Sequence, residues 1–137
     1  MEANVVYPVV IEEDDDDKNY PFLVRIPDFE GMTQGASLAD AMFMASDYIA
    51  LAAVDRQDDG RELPMATALD DIEIKQGETK SLVAADLLAY RAKEERRTVR
   101  TTVTIPSWLS VAARKEHINF SATLTEALEE KLGISTL

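Results

Sequence analysis

The first 35 residues alternate between apolar and polar positions in a pattern that predicts three β-strands. Residues 5–11 form a nearly continuous apolar run, interrupted by Pro8, whose missing backbone N–H favours a position at the edge of a sheet. Residues 20–26 alternate, which predicts a second strand with one apolar face. That face would carry Phe22, Val24 and Ile26. A third, shorter strand is predicted at residues 32–34, in a turn-rich segment that contains two glycines.

A long helix is the most regular feature of the pattern. Ser37 is a suitable N-cap, and apolar residues then recur at helical spacing to about residue 56, while Asp40 and Asp47 mark the solvent side. The apolar positions are Leu38, Ala41, Met42, Ala45, Tyr48, Ile49, Ala52 and Ala53. This spacing predicts a helix that packs on one face of the strands.

The segment from 57 to 97 is less regular. Residues 57–64 read as a charged loop and residues 67–69 as a short helical turn, whereas Ile72 and Ile74 alternate with charged residues as in a strand. Two predictions stay open for residues 81–88: alanine and leucine favour a helix, but the position favours the last strand of a domain. Residues 92–97 are dense in charge and lack large apolar groups, which is typical of a linker.

The last forty residues predict a strand followed by two helices. Residues 98–105 alternate, with Val99, Thr101, Val103 and Ile105 on one face. Pro106 ends the strand because it cannot donate to a ladder, and Ser107 follows as a helix N-cap. Asn119 fits the end of this helix, and Ser121 would cap a second helix that runs to about residue 132.

A lone short strand with two helices cannot be stable, because it satisfies neither its hydrogen bonds nor its apolar face. Pairing with the same strand of a second copy gives an antiparallel ribbon over four helices, whose polar outer face fits the major groove of DNA. The segment therefore resembles a ribbon-helix-helix DNA-binding domain and predicts a homodimer. The shared dimer core would contain Val103, Ile105, Leu109, Ala112, Phe120, Leu124, Leu128 and Leu132.

The outward face of this ribbon supplies the candidate DNA contacts. Arg100 can donate two hydrogen bonds to guanine, and Thr102 and Thr104 can bond base edges or cover a thymine methyl group. Ser121 and the free amides of the second helix would hold a phosphate. The last candidates, for phosphate or minor-groove contacts, are Arg96 and Arg97. The competing interpretation is an ordinary amphipathic strand and linker with solvated polar faces.

The charge of −12 is unevenly distributed. Residues 1–90 hold 20 acidic and 6 basic residues, whereas residues 91–137 hold 6 acidic and 8 basic ones. The acidic part repels phosphate and suits a basic protein partner, and the bases cluster where DNA contacts are predicted. A hydrophobic fraction of 46% supports a folded core.

Several classes of protein and site are not indicated. The sequence has no apolar run long enough to span a membrane and no signal-peptide pattern. It also has no cysteine, which fits a cytoplasmic protein. Such a protein would join the nucleoid when it is bound to its operator. The one histidine, His117, lies near a helix end, without a second histidine or cysteine to complete a metal site. Trp108 could pack on the core or on a neighbouring domain. No cofactor is expected.

No catalytic set is indicated either. Asp28, Asp47, Asp71 and Asp86 are available, but nothing in their spacing places them together as a two-metal nuclease site requires. A calcium loop that begins at Asp14 would need glycine at position 19 and a carboxylate at position 25, where the chain has Asn19 and Arg25. The run of aspartates from 14 to 17 is then either a solvated hairpin loop or part of a surface for a basic partner.

The N-terminal part also resembles a known family. The motif Ile26-Pro27-Asp28-Phe29-Glu30-Gly31, followed by Gln34-Gly35 and a capped helix, is similar to the N-terminal domain of HicB-type antitoxins, most specifically over residues 7–56. The resemblance extends over essentially the whole chain, because one of the two tail types of that family is a ribbon-helix-helix. It implies a partly degraded ribonuclease-H-like βββαβ domain, a HicA-type toxin that is a small basic messenger-RNA ribonuclease, and repression of the operon that encodes both.

The predicted fold is thus α+β, with an acidic toxin-binding domain at residues 1–91, a linker at 92–97 and a ribbon-helix-helix module at 98–137. The candidate toxin-binding residues are Glu12, Asp14, Asp16, Asp28, Phe29 and Glu30. The ribbon would read an inverted-repeat operator as a homodimer, or as a tetramer if the N-terminal domains also pair. Two alternatives stay open: a stand-alone repressor whose acidic domain senses a small ligand, and an enzyme that retains ribonuclease activity.

Overall fold

The computed structural model describes residues 3–95 and 97–134, and the chain divides after Arg91 into two compact units. Its strands and helices are, in chain order, β1 (Asn4–Glu13), β2 (Phe22–Ile26), β3 (Gly31–Gly35), α1 (Leu38–Asp58), β4 (Glu78–Asp86), α2 (Leu87–Glu94), α3 (Ser107–Lys115) and α4 (Phe120–Leu132). The predicted α+β class is confirmed. None of the described helices is long and apolar enough to cross a membrane.

The strands form one antiparallel sheet in the order β3-β2-β1-β4. The edge position predicted for β1 is therefore wrong, because β1 lies between β2 and β4. The proline is accommodated locally: Pro8 pairs with Leu82 of β4, whereas the pairing of β1 with β2 begins only at Val10. Beside Pro8 the sheet has no strand on the β2 side that would require the missing N–H.

Helix α1 begins with a reciprocal cap. The Ser37 hydroxyl accepts a hydrogen bond from the Asp40 backbone N–H at 3.1 Å, and the Asp40 carboxylate accepts one from the Ala36 N–H at 2.9 Å. The helix packs on the sheet through mostly small residues, so the backbones approach closely. Its buried residues are Ala41, Ala45, Ile49, Ala50, Ala53 and Val54. Leu38, predicted to face inward, is exposed in the first turn.

The inner faces of α1 and the sheet enclose the core. Val9, Val24 and Ile26 are fully buried there, as the alternation of β2 predicted. Tyr7 packs edge-to-face on Phe29 with ring centroids 4.7 Å apart, and its hydroxyl donates to the Pro64 carbonyl oxygen at 2.7 Å. The Pro27–Phe29 3₁₀ turn and the connection after α1 are thereby fixed to β1.

The connection from α1 to β4 does not form the strand predicted at Ile72 and Ile74. Ile72 is buried and Ile74 is exposed. The helical turn predicted at residues 67–69 lies two residues later, as a 3₁₀ turn at Leu69–Asp71. The Lys80 ammonium group donates to the carbonyl oxygens of Leu69 and Ile72, at 2.9 and 3.3 Å. A side chain of β4, and not a neighbouring strand, thus satisfies these backbone groups.

The ambiguous segment at 81–88 contains both predicted structures. Strand β4 continues to Asp86, and α2 begins at Leu87. The Asp86 carboxylate accepts a hydrogen bond from the Ala89 N–H at 3.0 Å, which satisfies an amide of the first turn of α2. Because α2 extends to Glu94, the first half of the predicted linker is helical.

The second unit contains α3 and α4, and two predicted caps are one or two residues out of place. Pro106, not Ser107, is the N-cap of α3. His117 has a φ of 56°, and the Ile118 N–H donates to the Ala113 carbonyl oxygen at 3.1 Å, which closes α3 in a left-handed turn. Asn119 then starts the next helix by accepting from the Ala122 N–H at 3.0 Å, so the cap predicted at Ser121 is wrong.

Residues 98–105 carry no strand in the single chain. This segment was predicted to pair with a second copy, so the ribbon stays a prediction. In the described part of the tail, residues 97–134, no side chain is buried.

Candidate functional site

The predicted DNA contacts lie on the surface of the tail. Arg100, Thr102 and Thr104 are exposed, and Arg97 is exposed with its guanidinium 3.2 Å from the Glu95 carboxylate. Ser121 is the second residue of α4, and its carbonyl oxygen accepts from the Thr125 hydroxyl. Arg96 lies outside the described residues.

The large apolar residues of the tail are also on the surface. Val103, Ile105, Leu109, Phe120, Leu128 and Leu132 have exposed fractions between 38% and 59%. Leu124 is half-buried and Ala112 is exposed. Trp108 is 71% exposed, and the Arg114 guanidinium lies 5.4 Å from the centroid of the Phe120 ring. The tail therefore presents an apolar stripe that its own chain does not cover.

The acidic loop between β1 and β2 uses part of its charge to hold its own shape. Asp14 accepts from the Asp16 N–H at 3.0 Å, and Asp17 accepts from the N–H groups of Asn19 and Tyr20 at 3.0 and 2.9 Å. Asp17 belongs to the run of aspartates that was considered for a basic partner, and its short-range bonds are those that aspartate favours in turns.

Asp28 and Phe29, two of the three candidates that follow β2, make contacts within the first unit. The Asp28 carboxylate accepts from the Thr67 N–H at 3.0 Å and from the Thr67 hydroxyl at 2.6 Å. Phe29 is buried, and the Arg56 guanidinium lies 5.5 Å from its ring centroid. Only Glu30 of this group is exposed, at a backbone φ of 51°.

The structure does not bring the two acidic groups together. The loop with Asp14 and Asp16 precedes β2, whereas Asp28 and Glu30 follow it, so the groups lie at opposite ends of this five-residue strand. At a rise of 3.2–3.4 Å per residue the separation is on the order of 15 Å. The candidate residues therefore form two surfaces and not one.

A third surface, which the sequence analysis did not identify, lies on α1. Six exposed residues of α1 recur at helical spacing, and we call this set the α1 outer face: Asp40, Phe43, Met44, Asp47, Leu51 and Asp55. The helical spacing of apolar residues predicted only the stripe that packs on the sheet. A second run of large apolar residues at the same spacing was the available signal.

The α1 outer face exposes its apolar side chains. Phe43 is 77% exposed, Met44 41% and Leu51 46%. An apolar cavity of about 330 Å³ lies beside Phe43, between α1 and β4. It is lined by Ala39, Met42, Phe43, Ser46, Leu82, Val83 and Ala84.

The carboxylates considered for a nuclease site have other surroundings. Asp28 binds Thr67 and Asp86 caps α2, while Asp47 lies on the outer side of α1. Within the described part of the chain, no group of three or more histidine, cysteine, aspartate or glutamate side chains is arranged to hold a metal ion.

Two solved structures are similar to this chain over most of its length. A toxin–antitoxin complex from Streptococcus pneumoniae has a similar structure, with 26% identity, a TM-score of 0.63, and coverage of 93% of this chain and 99% of that chain. The antitoxin HicB of Burkholderia pseudomallei shares the fold, with 20% identity, a TM-score of 0.53, and coverage of 93% and 98%. No curated protein matches the sequence. The model of the HicB-like antitoxins of bacterial toxin–antitoxin systems matches residues 7–128. Since this match spans most of the sequence, the chain belongs to the HicB-like antitoxin family.

Proposed function

We propose that the chain neutralises a HicA-type messenger-RNA ribonuclease and represses the operon that encodes both proteins. The observation that carries this proposal is the contrast between the two units. The first unit has a closed core and an acidic surface, whereas the second exposes its apolar stripe and carries the excess of bases.

The first unit is the proposed toxin-binding unit. A ribonuclease must attract RNA phosphates, so its surface is basic, and an acidic protein is both steered towards it and complementary to it. The similar structure from Streptococcus pneumoniae is described as a toxin–antitoxin complex, which supports a protein partner. Neutralisation then follows from occlusion of the surface that would otherwise bind RNA.

The tail is the proposed DNA-binding unit, and we infer that it functions as a homodimer. Its apolar stripe includes Val103, Ile105 and Leu128, which are all exposed in one chain, and a single helix pair does not form a stable core. Pairing of residues 98–105 across a two-fold axis buries this stripe and turns Arg100, Thr102 and Thr104 outward, to base edges in the major groove.

The dimer predicts an inverted-repeat operator, since a two-fold protein reads a two-fold DNA site. Arg97, Arg96 and the N-terminus of α4 near Ser121 would contact phosphates and set the register. If the first units also pair, the resulting tetramer presents two ribbons, and binding of one raises the local concentration of the other at a neighbouring half-site.

Co-expression with the small basic protein encoded beside the gene of this chain tests the proposal. We expect the two proteins to co-purify, and the purified complex to cleave RNA far more slowly than the basic protein alone. A folded chain that shifts the DNA upstream of its gene but does not bind the basic protein would contradict the antitoxin role and favour a stand-alone repressor.

A further inference from the structure

We infer that the α1 outer face, and not the acidic loop between β1 and β2, is the surface on which the basic toxin docks. This inference rests on the proposed function. It identifies the part of the acidic unit that would supply most of the binding energy. The occupant is a basic protein that presents an apolar patch ringed by lysine or arginine.

The first argument is the presence of apolar anchors. Stable protein interfaces depend on a few large, well-buried side chains at their centre, surrounded by a polar rim. On the α1 outer face, Phe43, Met44 and Leu51 project among Asp40, Asp47 and Asp55, which reproduces this arrangement on one rigid helix. A phenylalanine that is 77% exposed contributes little to its own fold, so its apolar surface is available to a partner.

The α1 outer face also carries a negative charge that no base of the same helix neutralises. Arg56 is the only base in α1, and its guanidinium lies over the buried Phe29 ring, away from the outer face. The three aspartates of the face therefore have no base of the same helix among them. A basic partner neutralises them, whereas a second copy of the chain would place the same carboxylates opposite one another across a two-fold axis.

The acidic loop lacks the features of a stable interface centre. Tyr20 is the only large apolar side chain of the loop region that is substantially exposed. A dense charge without apolar anchors accelerates association but contributes little once the complex has formed. The loop would therefore steer the toxin, and the α1 outer face would hold it.

The edge of the sheet beside this face also favours docking by side chains. The Ser46 hydroxyl of α1 donates to the Ala84 carbonyl oxygen at 2.7 Å, so this acceptor of strand β4 is already satisfied. A partner strand added along β4 would have to share this acceptor with the Ser46 hydroxyl. The apolar cavity between Phe43 and Leu82 can instead receive a side chain of the partner.

Binding of the full-length chain to the immobilised basic protein from the neighbouring gene tests the inference. Phe43→Ala should weaken binding by at least about tenfold, as for an apolar anchor at an interface centre. Asp47→Lys should weaken it by a similar factor, because it places a like charge opposite the basic partner. The loss for Asp47→Lys should shrink as salt is raised, because salt screens the repulsion. Matched controls are Met65→Ala, at an apolar residue that is 91% exposed, and Asp70→Lys, and both should stay within about threefold of the wild type.

The possible results separate this inference from the proposed function. Retained helical circular dichroism would confirm that the variants are folded, and an unchanged shift of the upstream DNA would confirm that their tail is unaffected. If the wild type binds and the Phe43 and Asp47 variants bind equally well, or if Asp16→Lys has a larger effect than Asp47→Lys, the location on α1 is wrong and the antitoxin role stands. Unchanged toxin binding with a lower oligomer mass for Phe43→Ala would assign the face to self-association. If the wild type itself does not bind, both proposals fail.

Discussion

Several polar side chains of this protein accept hydrogen bonds from backbone N–H groups of the chain, and the residue type alone does not indicate which ones do. Asp28 binds Thr67, Asp17 holds two amides of the acidic loop, and Asn119 caps α4. Asp28 and Asp17 had been considered for partner binding, and Asn119 had been predicted at the end of the preceding helix. A carboxylate or amide can be counted in a sequence, but whether its oxygens are already engaged depends on the local turn.

The cap of α4 gives a prediction at this scale. Asn119→Ala should lower the stability of the tail by about 1 kcal/mol, because an amide of the first turn loses its acceptor. Ser121→Ala should leave it unchanged or slightly higher, since Ser121 lies inside the helix, where alanine is favoured. Urea unfolding followed by the fluorescence of Trp108, the only tryptophan, measures both. A larger loss for Ser121→Ala would restore Ser121 as the cap.

Two arginines of the tail should differ in how they affect DNA binding. Arg100→Ala should cost about 1–3 kcal/mol on the operator and flatten the preference at one base pair in each half-site, since a side chain at the centre of the ribbon faces base edges. Arg97→Ala should weaken operator and random DNA alike and lower the salt slope by about one, because a residue before the strand lies over the backbone. Filter binding at several salt concentrations measures both. If Arg100→Ala lowers the affinity for operator and random DNA equally, Arg100 contributes only its charge and does not read bases.

At the scale of elements, the sequence predicted what local periodicity controls. The helix from Ser37 and the strands β2 and β3 were predicted close to their observed bounds, because alternation, helical spacing and caps are short-range signals. The interior position of β1 and the irregular course at Ile72 and Ile74 were not, since both depend on which distant segments become neighbours. Lys80, which satisfies the backbone there, follows Ile72 by eight residues.

The candidate sites were predictable to a similar extent. Alternation placed Arg100, Thr102 and Thr104 on one side of a strand, but pairing with a second chain cannot be seen in one copy. For the first unit, the composition indicated an acidic surface but not where the acidic side chains lie on it. Residues at opposite ends of β2 were therefore predicted to form one toxin-binding surface. The α1 outer face was not predicted, because the helical pattern was used to find only the one apolar side that packs on the sheet.

The approach of α1 to β3 gives a prediction for an element. A Cβ atom at Gly35 would clash with the backbone nitrogen of Ala41, and backbone cannot yield as a flexible side chain can. Gly35→Ala should therefore lower the free energy of unfolding by about 1–3 kcal/mol or more. Gly60→Ala is a useful comparison, because Gly60 has open space around it and only its φ of 71° opposes the change. Thermal unfolding by circular dichroism compares them, and a Gly35→Ala variant as stable as the wild type would refute the close contact.

At the scale of the whole molecule, the charges are divided between two units with different needs. The acidic unit folds around its own core, whereas the tail leaves its apolar stripe exposed within one chain. A fused acidic domain disfavours the approach of DNA, and the bases around the tail offset this locally. A basic toxin bound to the acidic unit would reduce that repulsion, so toxin binding and operator binding should assist each other at low salt.

We propose that the two functions lie in separate units and that DNA binding requires the tail to dimerise. One comparison tests it most directly: binding of the Val103→Asp variant to the upstream DNA and to the basic protein, with Val103→Ile as the apolar control. The account predicts that Val103→Asp lowers the oligomer mass and abolishes the DNA shift, because an unpaired carboxylate cannot be buried in the shared core. Binding to the basic protein should stay at the wild-type affinity, and Val103→Ile should keep both functions. A Val103→Asp variant that still shifts the DNA, or that loses the basic protein while folded, would contradict the account.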